Sequence, residues 1–429
     1  MQIHIVQPGD TLWAIANKYD TNAQRIAAIN GLNDLPFLVV GQALVIEPKP
    51  QTYTVQRGDT VWEIAQRYGV TAESIMLANN ITDPNSLQPG MELAIPIHAR
   101  EYGYIEVNGY IEPSTPERDT AIVNDVGRFL TYIAPFSYQV RADGSLNPIN
   151  DQPIINTAFT YKVAPLMVIT NFQEGNFNTE LVNTVLNDEN VTRTLIDNVI
   201  ATMREKGYYG LNVDFERISP ENREAYNNFL RKVVAALHPL NYIVCTSLAP
   251  KPEDYTGGAW HGAHDYRANG EIVDFVILMT YEWGWSGGPP YAVAPVDLVE
   301  DVIRYAVSVI PPQKIMMGMP LYGYDWLLPH MPGGPWARRL SPQEAVRRAA
   351  QTGARIEFNT QTQAPFYHYY DRNGVQHAVW FEDARSIIAK LMLVVKYGLR
   401  GVSYWLLGLE FPQNWAILND MFNIVKVIP

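Results

Sequence analysis

The 429-residue chain reads as an α/β protein: a (β/α)8 TIM barrel with a small α+β insertion, preceded by two small βααβ modules. Three observations predict this architecture. First, VQPGDTLWAIA at 6–16 returns as VQRGDTVWEIA at 55–65, with Gly9 and Gly58, Trp13 and Trp62, Asn30 and Asn79, and Gly41 and Gly90 each 49 residues apart. Self-similarity at a fixed period marks a repeated structural unit. Second, from about residue 104 eight short apolar, β-rich runs alternate with helical stretches, the pattern of parallel strands covered by helices. Third, one of those runs carries polar groups at every second position, which a strand turns to one side.

Each repeat starts with a short strand, at 3–7 or 52–56, followed by a Gly-Asp-Thr turn. Asp10 or Thr11, and Asp59 or Thr60, are placed to cap the helix that follows. Leu12, Ile15, Ala16 and Tyr19 fall at helical spacing. A second short helix is expected at 22–29 and 71–78, then a closing strand at 43–48 and 92–97 behind Gly41 or Gly90. Trp13 and Trp62 are expected in the module cores. The domains predicted are 1–48, 51–97 and 104–429.

The Gly-Asp-Thr turn, the Trp, the Asn after helix two and the late Gly resemble the LysM module, which binds N-acetylglucosamine-containing glycans such as peptidoglycan and chitin. The resemblance spans nearly all of 2–97, twice. It implies a sugar groove between the first strand–helix loop and the loop after helix two. That groove maps to Gly9, Asp10, Thr11, Asn30 and Leu32, and to Gly58, Asp59, Thr60, Asn79 and Ile81.

The eight runs of the larger domain are 108–112, 130–136, 165–170, 208–215, 241–248, 273–280, 314–320 and 401–407. Between them lie helices at 191–206, ended by Gly207, and at 220–237, with Ser219 as cap and Pro220 at the first helical position. Eight strand–helix repeats over about 300 residues suit a closed barrel. The insertion is expected at about 327–379, with a helix at 341–352 and an Asp-Arg-Asn-Gly turn at 371–374.

Run four reads Tyr209-Gly210-Leu211-Asn212-Val213-Asp214-Phe215-Glu216. Leu211, Val213 and Phe215 must face the helices. Asn212, Asp214 and Glu216 therefore face the interior, with Glu216 at the C-terminal mouth, where barrel enzymes place their sites. Burying this ladder costs several kcal/mol unless its members are bonded. Two neighbouring acids also repel, which holds a proton on the pair, as a general acid requires.

The segment resembles the Asp-Gly-x-Asp-x-Asp-x-Glu signature of family-18 glycoside hydrolases. Gly210, Asp214 and Glu216 match, whereas Tyr209 and Asn212 replace the first and middle Asp. MTYEW at 279–283 resembles the family's Met-x-Tyr-Asp, with Glu282 for Asp; GMPLYG at 318–323 resembles its strand-seven signature; SYW at 403–405 places Trp405 where the family floors its sugar pocket with tryptophan. The Ser-x-Gly-Gly of strand three is replaced by Thr170-Asn171-Phe172. The resemblance implies substrate-assisted hydrolysis. Glu216 would protonate the leaving oxygen, and the sugar's 2-acetamido carbonyl would attack C1. Asp214 would hold the acetamido N–H, positioned by Asn212, and Tyr281 would bond the acetamido group. Met279, Glu282, Trp283, Tyr322 and Trp405 would line the sugar site.

Two other motifs carry nothing. Gly284-Trp285-Ser286-Gly287-Gly288 fits G-x-S-x-G, but Pro289-Pro290 forbids the helix a nucleophile elbow needs. His261 and His264 have no further ligand cluster nearby and are expected as solvated loop residues, so no metal site is predicted. No cofactor is implied either.

Net charge is −12 with no Lys or Arg run, which argues against nucleic acid as a partner. Cys245, the single cysteine, lies in an apolar run and is expected to be buried and inert. No stretch has the apolar length of a membrane span. MQIHIVQPGD already belongs to the first module, so no cleaved signal is expected. The combination resembles the spore-cortex-lytic N-acetylglucosaminidases of spore-forming bacteria. It implies a retaining glycosidase cleaving after N-acetylglucosamine in peptidoglycan, located at the spore coat, cortex or cell wall. The alternatives are a chitinase and, from another class, an inactive glycan-binding lectin or coat protein.

Overall fold

The computed structural model describes the whole chain except residues 33–36, 48–50, 80, 96–99 and 259, and the side chains of residues 73 and 77. The last residues of both predicted closing strands, 48 and 96–97, lie outside the described residues.

In the first module, strands Gln2–Ile5 and Ala43–Ile46 pair antiparallel around helices Leu12–Lys18 and Ala23–Ile29. The second repeats this with Gln51–Thr54, Val61–Tyr68, Ala72–Ala78 and Glu92–Ile95. Thr11 and Thr60 are the caps: each hydroxyl accepts the amide three residues on. Asp10 and Asp59 instead close the turn, accepting the backbone N–H of Gln7 and Gln56. Trp13 and Trp62 are not core residues; they stand 73% and 54% exposed. Each follows the inward-facing Leu12 or Val61 by one residue, and that step turns it about 100° off the buried stripe.

The larger domain is the predicted barrel. Its strands, numbered β1 to β8, are Tyr104–Ile111, Tyr132–Pro135, Ala164–Thr170, Gly210–Asp214, Ile243–Leu248, Phe275–Leu278, Ile315–Pro320 and Gly401–Trp405. They pair in parallel in that order, and β4 closes onto β3 with Asp214 opposite Thr170. Outside the barrel, Leu211, Val213 and Phe215 of the β4 segment join the core shared with the helices, with Phe215 stacked 5.4 Å from Phe229. Inside, Tyr132, Ala164, Leu166, Val168, Cys245, Phe275, Ile277 and Met316 form an apolar plug.

The helix of 191–206 runs Glu189–Lys206, capped by Asp188 and ended at Gly207 in the left-handed region. The start of the next differs from expectation. Pro220–Asn222 is a 3-10 turn, the helix is Arg223–Leu237, and the Ser219 side chain makes no capping bond. That hydroxyl instead accepts from Asn183 Nδ2 at 3.2 Å. The insertion is a five-stranded antiparallel sheet built from Gly323–Leu327, Arg338–Leu340, Glu357–Asn359, Ala364–Tyr370 and Gln376–Trp380, with helix Pro342–Thr352 packed on it.

The first module is welded to the barrel. Its Ala43 and Val45 belong to the barrel's own core. Gln413 Nε2 donates to Asn30 Oδ1 at 2.6 Å and to the Ala43 carbonyl at 2.8 Å. Gln343 Nε2 donates to the Asn30 carbonyl at 2.9 Å, and Ile356 N to the Val40 carbonyl at 3.0 Å. The second module has a separate core of Val55, Val61, Ile64, Ile75, Leu93 and Ile95. Among the described residues its hydrogen bonds stay within itself. No helix among the described residues is long and apolar enough to cross a membrane.

Candidate active site

The site is built on the C-terminal end of β4. Strand alternation turns Asn212 and Asp214 inward, and the chain leaves the strand before Glu216, yet all three are buried. Asn171, directly after β3, explains how Glu216 stays fixed beyond the ladder. Its Oδ1 accepts the Glu216 N–H at 3.0 Å, and its Nδ2 donates to the Glu216 carbonyl at 2.8 Å. His264 supports the preceding residue: Ala249 N donates to its Nδ1, and its Nε2 lies 3.1 Å from the Phe215 carbonyl. His264 is thus a buried structural group, contrary to expectation, and burial pushes its pKa down to about 4, so it is neutral. The paired backbone acceptor and donor at β4–β5 account for a histidine at that position.

Burial raises both acids. Asp214 is pushed up to about 7 by desolvation, against a lowering by the Ser247 hydroxyl. Glu216 is raised well above the ordinary carboxyl range, by desolvation first and by the charge of Asp214 second. The pair therefore holds a proton near neutrality, and Glu216 is the member that keeps it longer. Asp214 Oδ1 is buried with no partner among the described residues. A buried polar atom left unpaired costs about 1–3 kcal/mol, a cost that a hydrogen-bond donor reaching this oxygen would relieve.

Asn212 does not bond Asp214 directly, which corrects the expected contact. Its Oδ1 accepts from Tyr110 OH at 2.9 Å and its Nδ2 faces Ser247 Oγ at 3.3 Å and Cys245 Sγ at 3.5 Å. Ser247 Oγ lies between the Asn212 amide and Tyr110 OH, and its hydroxyl lowers Asp214. Cys245 is buried, and desolvation raises its thiol far above the usual range, so it is inert.

The loop after β6 brings Tyr281 to the acids. The Tyr281 hydroxyl is raised by desolvation, then by the charges of Asp214 and Glu216. Gly318 on β7 makes room for it: a Cβ there would meet the Tyr281 ring at 2.9 Å and the Leu278 carbonyl at 2.4 Å. Glu282 adopts φ +69°, and its Oε1 accepts from Tyr322 OH and, at 3.0 Å, from Tyr324 OH. Burial raises Glu282 as well. Trp405, ending β8, packs edge-on against Phe136 at 4.8 Å and Tyr110 at 5.6 Å and is half-buried. Trp283 is half-buried with its backbone bonded to Val293, whereas Met279 and Tyr322 are buried. The Tyr322 hydroxyl is spent on Glu282.

Sequence reasoning overlooked Asn171, Ser247, Tyr110 and Tyr324. The signal for Ser247 was available: in YIVCTSL, Cys245 and Ser247 alternate onto the interior side beside Asn212. Asn171 was visible only as a departure at the end of run three.

In the modules, four of the ten expected groove residues face inward. Asn30 bonds the Ile26 and Val45 carbonyls and accepts the Val45 N–H. Asn79 does the same with Ile75 and Ala94. Leu32 and Ile81 are core. These side chains clamp helix two to the closing strand, a structural task that a short βααβ unit cannot do without. Gly9, Asp10 and Thr11, with Gly58, Asp59 and Thr60, stay on the surface turn, the two glycines at φ +89° and +95°.

Among the described residues no group of acids, histidines and cysteines could hold a metal. Two neighbouring acids shifted toward protonation, an unpaired carboxylate oxygen and an adjacent tyrosine suit acid catalysis on a bound polar group.

The family model of glycosyl hydrolases family 18 matches residues 170–410, and that of the LysM domain matches 4–47 and 53–96. The cortical fragment-lytic enzyme of Bacillus cereus is 46% identical over 99% of both chains, and that of Bacillus subtilis 48% over 99% of both. The crystal structure of the Bacillus cereus spore cortex-lytic enzyme SleL superposes with a TM-score of 0.85 at 42% identity, covering 99% of this chain and 98% of that one. A chitinase from Chromobacterium violaceum is more distant, at 25% identity over 74% of this chain and 98% of its own, with a TM-score of 0.68.

Proposed function

The chain belongs to glycosyl hydrolase family 18, behind two LysM domains, and from that premise we propose that it cleaves the glycan of spore-cortex peptidoglycan after N-acetylglucosamine, by a retaining, substrate-assisted route. The observation that carries this reading is the Asp214–Glu216 pair: two buried acids at one strand end, with one Asp214 oxygen unpaired among the described residues.

Glu216, protonated at neutral pH, gives its proton to the glycosidic oxygen as the C1–O bond breaks. The acetamido carbonyl oxygen of the same sugar bonds to C1, forming an oxazolinium. Asp214 Oδ1 accepts the acetamido N–H, which orients the carbonyl and offsets the positive charge on the ring. Its pKa near 7 falls when that cation forms beside it. Tyr281 donates its hydroxyl to the acetamido group. Water then attacks C1 with Glu216 as base, and two inversions leave the anomeric configuration retained. Glu282, Trp283 and Trp405 line the sugar; Met279 and Tyr322 lie behind it, Tyr322 by holding Glu282.

The substrate follows from both ends of the chain. The chemistry demands an N-acetyl group beside the broken bond, and the modules belong to a domain class that binds that sugar. Similarity to cortex-lytic enzymes over the whole length supports peptidoglycan of the spore cortex, and with it a location at the cortex or cell wall. Glu216→Gln is expected to bind peptidoglycan as the wild type does while reducing-end release falls by at least about 10³-fold, the scale of losing a general acid. Wild-type turnover in that variant overturns the assignment. Parallel digests of cortex and chitin, with fragments weighed by mass spectrometry, separate this reading from a chitinase.

A further inference from the structure

Arg217, the residue after Glu216, has no part in the chemistry above. Its φ is +54°, a left-handed conformation that a residue with a Cβ enters only at a cost. The surroundings hold it there. The Thr179 hydroxyl donates to the Arg217 carbonyl at 2.8 Å, and Asn171 grips both backbone groups of Glu216 just before it. Residues held against their preference in this way gather at functional sites.

The guanidinium is held but not neutralised. It lies over Trp260, with Cζ 5.5 Å from the ring centroid, and the residue is half-buried. Trp260 belongs to the loop after β5. Arg223 and Lys251, which bond the same loop, are paired: Arg223 with Asp254 and Asp265 at 3.0 Å each, and Lys251 with Asp254 at 3.1 Å. Among the described residues no carboxylate lies within ion-pair distance of Arg217. Its charge reaches the Glu216 carboxyl, which it lowers against the larger effect of burial. A guanidinium resting on an aromatic face still presents its edge N–H groups, and their fork matches a carboxylate.

When peptidoglycan is cut after N-acetylglucosamine, the leaving sugar is a muramic acid. The oxygen that Glu216 protonates sits on its C4. The neighbouring C3 bears a lactyl ether that ends in a carboxylate, or in a peptide with carboxylates of its own. A cation one residue from the proton donor therefore stands beside the part of this glycan that chitin lacks. We propose that Arg217 receives the carboxylate of the leaving sugar's C3 side chain and so sets a preference for acidic over neutral glycan. The proposal rests on the reading of this chain as a peptidoglycan hydrolase that cleaves after N-acetylglucosamine.

The test uses the full chain on peptide-free peptidoglycan strands, on the same strands with their carboxylates converted to neutral methylamides, and on strands that keep their peptides. Preference is kcat/KM on a charged strand divided by kcat/KM on the neutral one. Arg217→Gln, whose backbone cost is the same, is expected to lower the preference about tenfold, the scale of one charge-assisted hydrogen bond, through KM. Arg217→Lys keeps the charge and is expected to retain most of the preference. A change in the proton affinity of Glu216 alone slows every strand alike and leaves the ratio untouched, so an unchanged preference in Arg217→Gln overturns the proposal. Loss on peptide-free strands assigns the lactyl carboxylate, and loss on peptide-bearing strands alone assigns the peptide's. Absence of cleavage by the wild type on every strand would instead count against the proposed function itself.

Discussion

Asp214 shows how one buried group ties stability to chemistry. Its folded pKa of about 7 lies above the ordinary 3.8. Below pH 4 the folded and unfolded chains both hold the proton, and burial of the charge costs nothing. Between about 4 and 7 the unfolded chain releases the proton while the folded one keeps it, so stability falls as pH rises, and above 7 the loss is complete. Asp214→Asn removes the charge. Its Tm is expected to exceed the wild type's by several degrees at pH 8 and to match it at pH 4, measured by thermal unfolding; an equal difference at both values contradicts the assignment. The two acids were legible in the sequence because strand alternation fixes their side and the apolar residues between them fix which side is out. The partners were not. Asn212 looked like the neighbour of Asp214, but its amide is bonded to Tyr110 and to Ser247 of the adjacent strand, and no spacing within one strand reveals what the next one presents.

At the scale of elements, the end of β4 depends on its neighbours. Glu216 lies past the last ladder pair, and the Asn171 amide replaces the missing strand partner in both directions. Asn171→Ala leaves two buried backbone groups unpaired and lets the Glu216 segment drift. A drift of about 1 Å is enough for a 100-fold loss in kcat, with little change in KM, as read from steady-state rates on glycan. A variant whose kcat equals the wild type's shows that Asn171 has no positioning role. Helix boundaries were recovered where a cap and a glycine stop are local, as at Asp188 and Gly207. They slipped at Ser219, where Pro220 starts a 3-10 turn and the serine hydroxyl finds Asn183 on another helix. Trp13 and Trp62 were misplaced for a simpler reason: their size suggested burial, while their position one step from the apolar stripe turns them to solvent.

The whole molecule is a catalytic body with one module built in and one attached. The repeat is plain in the sequence, yet it hides this asymmetry, because the difference lies on the barrel. Gln343, Gln413 and Ile356 meet the first copy, and among the described residues nothing bonds the second. Calorimetry is expected to show two transitions: a small one for the second module and a large one for the barrel with the first. Gln413→Ala should lower the large transition alone, since it strips a buried partner from Asn30, a loss of about 1–3 kcal/mol. Asn79→Ala should lower the small one alone. A single transition that both variants move together contradicts the division.

The account's central claim is that the sugar's own acetamide, held by Asp214 while Glu216 gives up its proton, displaces the leaving group. Substrates in which the N-acetyl of the sugar at the cleaved bond is replaced by N-trifluoroacetyl measure this directly, because fluorine withdraws electrons from the attacking carbonyl. The account predicts that kcat/KM falls steeply along the mono-, di- and trifluoroacetyl series; a rate indifferent to the fluorines contradicts it.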